Sequence, residues 1–113
     1  MDHMNYLQEV PFAVTVCDKN GTILEMNEKS AITFAKDGGK DLIGQSLMDC
    51  HPEKARGMIL GMIQSGSTNA YTIEKKGVKK LIYQCPWYQE GELGGLVEVS
   101  IEIPLDLPHF IRD

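Results

Sequence analysis

Residues 14 to 27 read Val-Thr-Val-Cys-Asp-Lys-Asn-Gly-Thr-Ile-Leu-Glu-Met-Asn, two short apolar stretches on either side of Asp18-Lys19-Asn20-Gly21. Asn20-Gly21 is the kind of pair that supplies positive φ to a tight hairpin turn. The flanking residues have the β-branched character of strands. A helix-like segment begins directly afterwards, with Asn27 placed as its N-cap. A hairpin near the start of a chain of 113 residues, running straight into a helix, is an uncommon order of elements. It narrows the fold, and it points toward sensing or binding more than toward catalysis.

A chain of this length builds one domain around one core. Hydrophobic residues make up 42% and charged residues 24%, ordinary values for a globular protein. The net charge of −5 argues against nucleic acid as a partner, because phosphate binding needs a basic stripe. The densest basic cluster, Lys75, Lys76, Lys79 and Lys80, brackets Gly77 and reads as a charged hairpin at a sheet edge. No segment approaches the roughly 18 apolar residues of a membrane span. The opening run Met1-Asp2-His3-Met4-Asn5-Tyr6 has neither the basic region nor the apolar core of a signal peptide. Cys17, Cys50 and Cys85 form an odd, widely spaced set, which suits reduced thiols in a cytoplasm better than a disulfide framework.

Residues 3–9 fit a short helix before Pro11, and 12–18 with 22–27 fit the first hairpin. Residues 28–36 fit a short helix stopped by Asp37-Gly38-Gly39-Lys40-Asp41, and 42–47 an irregular connection. The clearest helix spans 52–65, with Pro52 in its first turn, Glu53 at the positive end of its dipole and Gly66 as its stop. Ala55, Met58, Ile59, Met62 and Ile63 fall at i, i+3, i+4, i+7 and i+8 and predict one buried stripe. Strands follow at 68–76, 78–89 and 94–103. In the last, Val97, Val99, Ile101 and Ile103 alternate with Glu98, Ser100 and Glu102, which predicts a wet face carrying the polar set. The tail from Pro104 to Ile111 is apolar enough to pack on the body or on a partner. The order β-β-α-α-β-β-β, without parallel crossovers, predicts an α+β domain: a five-stranded antiparallel sheet with helices on one face. A single domain is expected over 1–113, its core at about 10–103 and its tail at 104–113.

Over residues 10–103 this pattern resembles the PAS domain family. The resemblance rests on Pro11-Phe12-Ala13-Val14-Thr15-Val16-Cys17-Asp18-Lys19-Asn20-Gly21-Thr22-Ile23, on Asn27 at the head of the first helix, and on Leu42-Ile43-Gly44-Gln45-Ser46-Leu47. Gly94-Gly95-Leu96-Val97-Glu98-Val99, opening the last strand, matches as well. Cys50-His51-Pro52 is similar to a subset of bacterial PAS modules, some of them beside haemerythrin-like domains. The resemblance implies a stand-alone bacterial sensor module that binds a small molecule between sheet and helices and signals through a homodimer or a partner protein. Two features depart from the family pattern. Pro104 follows Glu102-Ile103, so the last strand cannot run directly into a signalling helix, and no effector domain is present in the sequence.

Among candidate site residues His51 comes first, because an imidazole can ligate haem iron and haem-sensing PAS domains use a histidine in this general part of the fold. Its bland reading is a half-exposed residue at a helix start. Cys50 beside it could be an activated thiol, but chain neighbours seldom point at one another and no third group orients them. A zinc site from Cys17, Cys50, Cys85 and His51 lacks paired ligand spacing. Gly57 and Gly61 open one helix face, either for close packing on the sheet or for a ligand lined by the adaptable thioethers of Met58 and Met62. Leu81, Tyr83, Cys85 and Trp87 share one face of their strand, expected to point inward, with Phe34 as the opposite wall. Glu90, Glu92, Glu98 and Glu102 read as solvated charge. No catalytic constellation is visible, so an enzyme is not expected. The leading expectation is a ligand-binding sensor, with a ligand-free dimerisation module as the alternative and a haem sensor through His51 as the second.

Overall fold

The structure, a computed structural model, describes residues 6–46 and 53–113, with side chains throughout except at 53–56. Strands β1 (Ala13–Asp18) and β2 (Ile23–Met26) form the first hairpin, followed by α1 (Glu28–Thr33). Two 3₁₀ turns, Ala35–Asp37 and Gly39–Leu42, come next. Helix α2 (Glu53–Ser65) then leads to β3 (Asn69–Lys75), β4 (Val78–Gln89) and β5 (Glu92–Ile103). The five strands make one sheet in the order β2-β1-β5-β4-β3, every pair antiparallel. This is the α+β arrangement that the order of elements predicts. Residues 6–9, expected to be helical, form turns instead, and α1 ends three residues earlier than expected, at Thr33.

The turns are set by local chemistry. In the first hairpin the Asp18 carbonyl accepts from Gly21 N (3.0 Å) while Asp18 N donates to Thr22 O (2.9 Å). The Asp18 carboxylate also accepts from Asn20 N (2.9 Å) and Thr22 N (3.0 Å). Gly21 is left-handed (φ +84°) and Asn20 is not, so this is a three-residue loop with a glycine bulge and not the two-residue turn expected. Two-residue turns do occur at Lys76-Gly77 (φ +53° and +80°) and Glu90-Gly91 (φ +53° and +81°), where both residues are left-handed. The second of these starts β5 at Glu92, two residues before the expected position.

Asn27 ties the N-terminal half together. Fully buried, it accepts from Val14 N (2.9 Å) and Ser30 N (3.0 Å) and donates to Leu7 O (2.8 Å) and Phe12 O (2.9 Å). Its amide therefore uses both acceptor positions and both donors, capping α1 while fixing the approach of β1 and of the segment before it.

Among the described residues two apolar core clusters stand out. Cys17, Ile59, Ile63 and Leu96, with Met62 packed against them, form one cluster under α2. Ile23, Met26 and Leu42, with Phe34 packed against them, form the other, beside α1 and the 3₁₀ turns. Thus α2 does bury a stripe, but a narrower one than expected: Met58 is 57% exposed. Gly57 and Gly61 serve neither role foreseen for them, since a Cβ at either would meet open space. The tail beyond Pro104 is exposed throughout and does not pack on the body. No helix among the described residues is long and apolar enough to cross a membrane.

Candidate functional site

Cross-strand partners in an antiparallel sheet share a face, so the register decides which side chains meet the helices. One row runs Met26, Thr15, Glu98, Gln84, Asn69 across all five strands. The Thr15 hydroxyl lies 2.6 Å from the Ser30 hydroxyl of α1, which places this row on the helix side. The next row on the same face is Cys17 and Leu96 with Pro86. Pro86 is tolerated because it falls just past Gln84, the last residue of β4 that pairs with β3.

Between the two apolar clusters lies a small cavity of about 20 Å³, lined among the described residues by Thr15, Cys17, Phe34, Ile59, Gln84, Leu96 and Glu98. That is room for about one water molecule. Its polar wall is connected: Asn69 Nδ2 donates to Gln84 Oε1 (3.2 Å), and Gln84 Nε2 donates to Glu98 Oε2 (2.7 Å). Gln84 is buried, so these bonds satisfy groups that would otherwise be costly to desolvate. Burial pushes the Cys17 thiol above its ordinary value; a backbone hydrogen bond from Leu96 opposes, and the charges of Asp18 and Glu98 add to the rise. Burial also raises Tyr71, on the same face of β3, with Glu98 contributing.

Phe34, expected as a wall, lines this cavity. Met62 packs on the adjoining cluster, whereas Met58 stands in the open. Tyr83 and Cys85 alternate with Gln84 and so lie on the opposite face, beside Val99 and Val97. Tyr83 is 42% exposed there, and Leu81 shares that face with Ile101. Trp87 acts structurally, its indole N–H donating to the Cys17 carbonyl (2.8 Å). To reach it the ring crosses β5 where a Cβ at Gly94 would fall inside it, and a Cβ at Gly95 would strike the β1 backbone. Cys50 and His51 lie outside the described residues. Cys17 and Cys85 are free thiols.

Sequence reasoning misses the polar cavity residues because alternation in β5 distinguishes two faces without saying which one the helices cover. It assigns Glu98 and Ser100 to water and Val97 and Val99 to the core; the structure reverses them. The one signal in the sequence is Gln84, a polar residue interrupting the apolar run of a long strand.

No family model matches the chain, and no curated protein matches its sequence. Solved structures do match. A sensory box sensor histidine kinase from Vibrio cholerae is similar with a TM-score of 0.64 at 17% identity, over 88% of each chain. The PAS domain of the histidine kinase ThkA has a TM-score of 0.64 at 19% identity, over 80% of this chain and 97% of that one. The Aer2 receptor from Vibrio cholerae, described as a dual PAS-heme oxygen sensor, has a TM-score of 0.60 at 17% identity, over 81% of this chain and 94% of that one. The fold is that of a PAS domain.

Proposed function

We propose that this domain is a sensor module that takes a small molecule into the seam between its sheet and helices α1 and α2 and signals by a change of shape. The observation that carries this reading is the seam itself. A polar row, Thr15, Gln84 and Glu98, is turned inward between the two apolar clusters of the described residues. Such an arrangement costs packing and desolvation, a cost that recognition of a partly polar ligand offsets. Enclosed mostly by apolar side chains with a few convergent polar ones, the site has the general form of a ligand pocket. Anything larger than a water must push α2 outward. That helix rests on the sheet through Ile59, Ile63 and Met62, so occupancy becomes a displacement.

The output surface is the opposite face of the sheet together with the tail. Val97, Val99, Cys85 and Ile101 are half-buried there, and Leu105, Leu107, Phe110 and Ile111 are exposed. A homodimer or a partner protein covering this surface completes the module, which acts by conformation and not by catalysis. Free thiols at Cys17 and Cys85 fit a reducing, cytoplasmic setting. The small volume favours the second reading, a filled domain used for association alone. Native mass spectrometry of the purified protein with an absorption spectrum separates the readings. A non-covalent adduct without a Soret band supports the sensor. A Soret band lost in His51→Ala replaces that reading with a haem sensor, and a bare dimer with neither replaces it with the association module.

A further inference from the structure

We infer that the seam is selective for a small organic cation, an ammonium or amidinium carried on a short apolar body; this rests on reading the seam as the ligand site. Among the described residues that line the cavity there is one formal charge, the carboxylate of Glu98, and no lysine, arginine or histidine. The remaining lining is divided between two hydrogen-bonding groups, Thr15 and Gln84, and the apolar Cys17, Phe34, Ile59 and Leu96.

The polar wall has a direction. Asn69 donates to Gln84 and Gln84 donates to Glu98, so the amides are aligned head to tail and end on the carboxylate. This arrangement holds one carboxylate oxygen, Oε2, in a fixed place, and that rigidity is what a recognition group needs if it is not to lose side-chain freedom on binding. Glu98 also influences its surroundings: its charge adds to the upward shifts of Cys17 and Tyr71 on the same face, although burial is the larger cause in both. An anion entering the seam meets this charge in a medium of low dielectric, where repulsion is strong. A neutral alcohol gains an ordinary hydrogen bond. An ammonium gains a charge-assisted one, and Phe34, which also lines the cavity, is an aromatic ring of the kind that cations approach within about 6 Å. Ile59 and Leu96 receive the apolar body.

The test uses the full chain and three ligands of one shape: benzylammonium chloride, benzyl alcohol and sodium benzoate, titrated by calorimetry. Benzylammonium is expected to bind about tenfold more tightly than benzyl alcohol, the difference between a charged and a neutral hydrogen bond, with benzoate weakest. Glu98→Gln is expected to bring the amine level with the alcohol. Glu98→Asp, which keeps the charge, and Glu102→Gln, which removes an exposed charge from the same strand, are expected to preserve the preference. Equal binding of amine and alcohol to the wild type, abolished for both by Ile59→Phe, overturns the selectivity while leaving the seam as the site. A preference that survives Glu98→Gln also overturns it. Absence of binding by all three overturns both the selectivity and the site.

Discussion

Replacing Asn27 by alanine removes one side chain and strands four backbone groups: Val14 N, Ser30 N, Leu7 O and Phe12 O. A buried polar group left unpaired costs about 1–3 kcal/mol, and loss of an N-cap alone costs about 0.5–2 kcal/mol. The bonds to Leu7 and Phe12 are only partly buried, so water recovers some of their loss. The expected destabilisation is then about 3–6 kcal/mol, a large share of the roughly 5–15 kcal/mol that holds a typical domain. Urea denaturation followed by far-ultraviolet circular dichroism measures it. Asn27→Ser should fall between wild type and alanine, because serine still accepts from Ser30 N but cannot donate to both carbonyls. In Asn27→Asp a carboxylate replaces the donating amide and faces two carbonyl oxygens. Ionised, it still accepts from Val14 N and Ser30 N but has lost both donors to Leu7 O and Phe12 O, so this variant too should be less stable than wild type in the same assay. A loss under about 1 kcal/mol for alanine would refute the view that these bonds organise the N-terminal half.

Gly57→Ala and Gly61→Ala, on an exposed helix face with open space around each Cβ, should each stabilise the protein by about 0.5–1 kcal/mol in the same denaturation assay. Gly95→Ala should instead cost several times that amount or prevent folding, because the obstructing atoms are rigid β1 backbone; a near-neutral result would mean β1 and β5 can separate. The Cys17 pKa is raised above its ordinary 9.0, so the folded state holds that proton more tightly than the unfolded chain does. Stability should therefore be intact below pH 9.0 and decline as pH rises through it, with a smaller decline in Cys17→Ala when Tm is compared across that range. Removing residues 104–113, all exposed, should leave monomer stability unchanged while reducing any dimer seen by light scattering; a lowered Tm at dilutions where only monomer is present would show that the tail packs on the body.

Much of this architecture is written locally. Asp18 and Gly21, Lys76-Gly77 and Glu90-Gly91 mark the hairpins because each places a particular backbone conformation where few residues accept it. Asn27 marks the start of α1, Gly66 the end of α2, and the spacing of Ile59, Met62 and Ile63 the buried side of that helix. Order, strand number and the antiparallel sheet follow from these. What stays open depends on partners far along the chain. Alternation in β4 and β5 sorts Gln84 and Glu98 from Tyr83, Cys85, Val97 and Val99, but only the docking of Ser30 on Thr15 decides that the polar set faces the helices. Likewise Trp87 is committed by Gly94 and by a carbonyl 70 residues away, and the exposure of the tail is set by the packed body and not by its own apolar composition. Turn and cap preferences act over a few residues and can be read in order along the chain. Which face of a sheet becomes interior is a property of the packed whole, and only the tertiary structure settles it.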